Sequence, residues 1–122
     1  MLSTPSGVRV WAYSQPVDLR KGFGRLQALV ENELGRDPMS GELFVFVSRD
    51  RKLCKVFYWD GRGLCIFMKR LDRGCFASFW RDGGHQVQLS ASELALFLDG
   101  CQELGYRPLL RPLNDVEPNV VA

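Results

Sequence analysis

Val8, Val10 and Ala12 alternate with Arg9, Trp11 and Tyr13, and this period of two predicts a short strand that Pro16 ends. The period then changes. Phe23, Leu26, Val30 and Leu34 recur at helical steps and Leu29 widens their stripe, so a helix capped by Asp18 runs to about Leu34, where Gly35 stops it. Its first turn is unusual. Gly22 and Gly24 each cost about 1 kcal/mol relative to Ala inside a helix. Arg20 and Lys21 lie at the positive end of the helix dipole, where cations are disfavoured.

Asp37-Pro38-Met39-Ser40-Gly41 is a turn by residue type. Leu43 to Val47 is a strand that is apolar on both faces, and Ser48 to Lys52 is a charged turn. Leu53 to Trp59 and Leu64 to Leu71 are strands flanking Asp60-Gly61-Arg62-Gly63, a strong hairpin signal. Strands joined this tightly form an antiparallel meander. Asp72 to Gly84 is a loop whose Cys75, Phe76, Phe79 and Trp80 fold it partly back onto the core. Gln86 to Leu89 offers one more short strand. Ser90-Ala91-Ser92-Glu93 fits a capping box that opens a helix of about ten residues, ending near Gly100 or Cys101.

The order predicts an α+β fold. Its sheet is mostly antiparallel and curled, with one helix after the first strand and one C-terminal helix. Leu43 to Val47 and Leu64 to Phe67 lack clean alternation, so the central strands are covered on both faces or the sheet curls toward a barrel. Residues 1–106 read as a single domain. Arg107 to Ala122 carries Pro108, Pro112 and Pro118 and no period, and reads as an extended or disordered tail.

Composition adds the class of protein. With 122 residues, 46% hydrophobic and 25% charged, the chain is an ordinary globular domain. Met1 to Gly7 has no signal-peptide character, and no stretch approaches the ~20 apolar residues of a membrane span. The expectation is a soluble, cytoplasmic protein.

Charge changes the picture more. The formal net charge is only +2, but it is unevenly spread. Arg49 to Arg81 holds nine bases against three acids, whereas Asp82 onward holds six acids against two bases. Arg49, Arg51 and Lys52 share one turn. Lys69, Arg70 and Arg73 lie where the last strand of the meander ends. In a three-strand meander these two places meet at one edge of the sheet, so the cations form a patch for nucleic-acid phosphates, with little reading of sequence. Arg20 and Lys21 are a second candidate, because an anion at a helix N-terminus would offset their cost and Gly22 would let it approach.

Other chemistry finds little footing. The cysteines Cys54, Cys65, Cys75 and Cys101 include no CxxC pair, and His85 is the only histidine, so no metal site and no cofactor are expected. Asp18, Asp37 and Asp60 have cap or turn roles, leaving no carboxylate cluster for metal-dependent strand transfer. A Cys75–His85 pair lacks a third residue to orient the base. No catalytic residue is expected. Phe57 and Trp59 point to one face of their strand and Tyr58 to the other, and one such face is the alternative, a protein-binding patch.

These stretches together resemble one family. They are Gly7-Val8-Arg9-Val10-Trp11, Asp18-Leu19-Arg20-Lys21-Gly22-Phe23, Asp37-Pro38-Met39-Ser40-Gly41 with Leu43-Phe44-Val45-Phe46, and Lys55-Val56-Phe57-Tyr58-Trp59-Asp60-Gly61-Arg62-Gly63-Leu64-Cys65 running on to Lys69-Arg70-Leu71-Asp72-Arg73-Gly74. In order and spacing they resemble the short accessory protein of insertion sequence sixty-six elements. It is usually called TnpB and is distinct from the RNA-guided nuclease of that name. The resemblance spans about residues 7 to 100. It implies a role in transposition beside a separate, larger transposase, the expected protein partner. The chain departs from the family after Phe76, where Ala77-Ser78-Phe79-Trp80-Arg81 replaces a common Trp-Pro pair.

Overall fold

Five strands form one sheet in the order β4-β3-β2-β1-β5. The strands are β1 (Val10–Tyr13), β2 (Leu43–Val47), β3 (Leu53–Trp59), β4 (Leu64–Arg70) and β5 (Gln86–Leu89). Two helices accompany them: α1 (Phe23–Ala28), which widens into a π turn over Leu29–Glu33, and α2 (Ala91–Asp99). The structure, a computed structural model, describes residues 7–80, 84 and 86–100. The expectations for Arg81, His85, Cys101 and the tail after Arg107 lie outside the described residues.

The meander forms as its turns predict. β2 pairs antiparallel with β3, placing Val47 opposite Cys54, and β3 pairs antiparallel with β4, placing Leu53 opposite Arg70 and Trp59 opposite Leu64. The Asp60 carboxylate accepts the Arg62 and Gly63 N–H groups and closes the hairpin turn. On the other side β1 lies parallel to β2, and β5 runs antiparallel to β1. The parallel pair needs a crossover, and α1 supplies it.

Each face of the sheet is covered, which explains why β2 does not alternate. Leu43, Val45 and Val47 join Cys54, Val56, Leu94, Phe97 and Leu98 in a core beneath α2. Phe44 and Phe46 join Phe57, Leu26, Leu29 and Val30 in a second core beneath α1. Of the two alternatives, coverage on both faces holds for β2, whereas β4 is an edge strand none of whose residues is fully buried. The sheet stays open, with β4 and β5 at its edges. The loop after β4 does fold back: Phe76 and Phe79 are fully buried, with ring centroids 5.1 and 4.7 Å from that of Phe97. Each such large apolar side chain contributes about 1.5–3 kcal/mol by leaving water.

α2 starts where the capping box places it. The Ser90 hydroxyl accepts the Glu93 N–H at 3.1 Å, and the Glu93 carboxylate accepts the Ser90 N–H at 2.7 Å. α1 does not start at Asp18. That carboxylate accepts the Arg20 N–H at 3.1 Å and the guanidinium at 2.9 and 2.7 Å, so it closes a turn of its own. The helix begins at Phe23, with Gly22 as an N-cap lacking any side-chain bond. Gly22 thus escapes the helix-interior cost. Phe23, at the start of the apolar stripe, is 49% exposed. At the other end the Leu34 N–H reaches the Leu29 carbonyl at 3.0 Å, one residue further back than in an α-helix, and Gly35 follows at φ 63°.

Candidate nucleic-acid interface

The turn between β2 and β3 is held by its own polar groups. The Asp50 carboxylate accepts the Ser48 hydroxyl at 2.7 Å and the Lys52 N–H at 3.0 Å. These bonds, the hydroxyl first, hold its carboxyl below the usual carboxylate range. Arg51 takes the left-handed conformation at φ 59°, which costs a non-glycine residue about 1–2 kcal/mol. Docking of the loop after β4 offsets this. The Arg51 carbonyl accepts the Phe76 N–H at 2.7 Å, and the Arg51 guanidinium donates to the Phe76 carbonyl at 3.3 Å. Lys52 Nζ donates to the Gly74 carbonyl at 2.7 Å, and the Lys52 carbonyl accepts the Leu71 N–H at 2.8 Å.

Strand alternation divides the cations at the end of β4. Lys69 stands opposite Cys54, on the α2 face, and its Nζ donates to the Leu98 carbonyl at 2.6 Å. A cation there completes the last turn of α2 and complements its dipole. Arg70 stands opposite Leu53 on the α1 face, where its guanidinium is exposed.

The loop before α1 reaches the same place. Lys55 lies on the α1 face of β3, two residues from Leu53 and from Phe57, and is only 8% exposed. Its Nζ donates to the Leu19 carbonyl at 2.7 Å and to the Lys21 carbonyl at 3.3 Å. The buried ammonium thereby fastens the loop that carries Arg20 to the sheet.

Together these elements form a groove of about 570 Å³. Pro16, Val17, Leu19 and Leu53 give it an apolar floor. Arg20, Arg49 and Arg70 stand along it, with Ser48, Asp18 and Asp50 between them. Three arginines meet two aspartates, so the field is cationic but moderate. Asp18 fixes the Arg20 guanidinium, whose hydrogen bonds hold that carboxyl well below the usual range. Neither Arg49 nor Arg70 forms a salt bridge among the described residues.

The structure thus sorts the cations singled out by sequence. Arg49 and Arg70 come together, and Arg20 joins them from the second candidate segment. Arg51, Lys52 and Lys69 sit at the same rim but are spent on backbone carbonyls. Arg73 is exposed on the loop after β4, outside the groove. Lys21 is exposed beside the groove and does not line it. Arg20 and Lys21 precede the helix start at Phe23, and Asp18 accepts the Arg20 N–H and guanidinium. Sequence reasoning missed Lys55 as the anchor. Its signal was a lysine at an inward position between Leu53 and Phe57.

The aromatic candidates divide in the same way. Phe57 is fully buried, and Tyr58 and Trp59 are half-buried. Arg36 lies 4.0 Å over the Trp11 ring and donates to Glu42 at 3.0 Å, so that indole face is taken. Among the described residues, no group of three or more His, Cys, Asp or Glu side chains is placed to hold a metal ion. No described helix is long and apolar enough to cross a membrane.

Comparison with known proteins gives the context. Residues 8–107 match the profile of a family described as IS66 Orf2 like protein. The chain is similar to the uncharacterized protein y4hO of Sinorhizobium fredii (strain NBRC 101917 / NGR234), at 41% identity over 100 residues, covering 82% of this chain and 86% of that protein. It is also similar to the uncharacterized protein y4jC of the same organism, at 33% identity over 115 residues, covering 92% and 97%. No solved structure matches the chain.

Proposed function

Because this chain belongs to the IS66 Orf2-like family, whose place is an accessory one in transposition, we propose that it assists a separate transposase by holding the element's DNA through phosphate contacts in the arginine groove. The observation that carries this reading is that Arg20, Arg49 and Arg70 arrive from three separate segments at one concave site. Guanidinium groups suit phosphate oxygens because they offer paired donors in a planar fork. Binding of this kind is weak, sensitive to salt and largely indifferent to base sequence. The protein acts without catalysing strand transfer, in the cytoplasm where the element's DNA lies.

The test is charge reversal at groove positions whose side chains form no salt bridge among the described residues. Arg49→Glu with Arg70→Glu is expected to abolish the binding of a labelled element-end duplex at low salt and to reduce transposition. Unchanged binding would remove the groove from the mechanism. Lys69 is unsuitable for this test, since it also completes α2.

A second reading has its own observation. On the α1 face of β4, Leu64, Ile66 and Met68 form an apolar strip, Met68 is 59% exposed, and Phe23, 49% exposed, has its ring centroid 6.5 Å from that of Phe57, the partner of Ile66. That strip suits a protein contact with the transposase. Capture of purified transposase by a protein that binds no DNA at low salt would select this reading.

A further inference from the structure

Phosphate recognition needs donors and charge, yet the groove offers more than that. Its floor is apolar, with Pro16 and Leu53 partly exposed and Val17 and Leu19 buried, and a phosphate has no use for such a surface. Leu53 is half-buried and stands directly opposite Arg70, so an apolar contact and a guanidinium lie side by side. At about 570 Å³ the groove falls within the range of roughly 300–1,000 Å³ that holds small-molecule ligands. A duplex can bring its phosphates to the arginines but leaves the apolar floor without a partner. It presents phosphates and sugars outward, while its bases are stacked within.

We propose that the groove accepts one unpaired nucleotide of a single-stranded DNA end, its phosphate between Arg49 and Arg70 and its base against Pro16 and Leu53. The proposal rests on the phosphate reading above and specifies its ligand. Arg20, oriented by Asp18, closes the side of the site contributed by the loop that Lys55 fastens. The base gains by leaving water for the apolar floor, with no demand for a particular sequence. Selectivity then arises from the unpaired state, because only an unpaired base can turn its face into the groove.

The full chain is tested without substitution. Inorganic phosphate, ribose 5-phosphate and a nucleoside monophosphate each compete for a labelled single-stranded oligonucleotide, and that oligonucleotide is compared with its duplex. Meanwhile the methyl resonances of Val17, Leu19 and Leu53 are followed by NMR. The nucleotide is expected to compete at a concentration about ten-fold below that of the two smaller phosphates, single strand to bind better than duplex, and the three residues' methyl signals to shift with nucleotide alone. Equal competition by all three phosphates, equal binding of both DNA forms and unmoved methyl signals would overturn the nucleotide site and leave phosphate binding standing. No binding of either DNA form at low salt would overturn both.

Discussion

An ammonium group can lie beneath a sheet only when its donors are satisfied there. Lys55 meets that condition through the Leu19 and Lys21 carbonyls, and in doing so it ties β3 to the loop bearing Arg20. Replacing it with methionine keeps the stem but strands a buried carbonyl. Lys55→Met is therefore expected to lower stability by about 1–3 kcal/mol. Urea unfolding measures this. DNA affinity should also fall although Lys55 does not line the groove, because the loop loses its tether. A variant as stable as the parent would show that the Leu19 carbonyl finds another partner. The same local logic explains why Arg51, Lys52 and Lys69 are poor ligand contacts: each already serves a backbone carbonyl.

At the scale of elements, the turns are set by aspartates. Asp18, Asp50 and Asp60 each accept local hydrogen bonds that hold their carboxyls below the usual range. For Asp50 the Ser48 hydroxyl is the main cause and the Lys52 N–H the next. A carboxyl depressed in the folded state adds stability that is complete above its unfolded pKa of about 4, and that stability is lost as pH falls through the folded value. Acid unfolding is thus expected to set in only below about pH 4. Asp50→Asn should flatten part of that slope, as chemical denaturation across the acid range would show. A slope that Asp50→Asn leaves unchanged would separate the turn from acid stability.

Much of this element-level order was legible because the signals are local. The Asp60-Gly61 turn and the Ser90–Glu93 box each act within four residues, and alternation fixed which side of β3 faces which core. The start of α1 was not legible, because the Arg20 guanidinium takes the Asp18 carboxylate that would otherwise cap the helix. Parallel pairing of β1 with β2 leaves no local mark, since a crossover decides it. The groove was half legible. Sequence brought Arg49 to the neighbourhood of Arg70 by counting strands. Alternation alone puts Lys69 and Arg70 on opposite faces, but nothing local shows that Lys69 meets the end of α2 or that Arg20 arrives from a different segment.

Over the whole molecule, a formal net charge of +2 conceals a cationic rim at one end of the sheet. That rim contains cations held by backbone carbonyls and cations that line the groove, and of these Arg49 and Arg70 form no salt bridge among the described residues. If Arg49 and Arg70 meet DNA phosphates, counterion release counts those contacts directly. The decisive measurement is the dependence of DNA affinity on salt for the parent and for Arg49→Gln with Arg70→Gln. Removal of two phosphate contacts is expected to reduce the slope of log affinity against log salt by about two, alongside weaker binding. A slope identical to that of the parent would contradict the account.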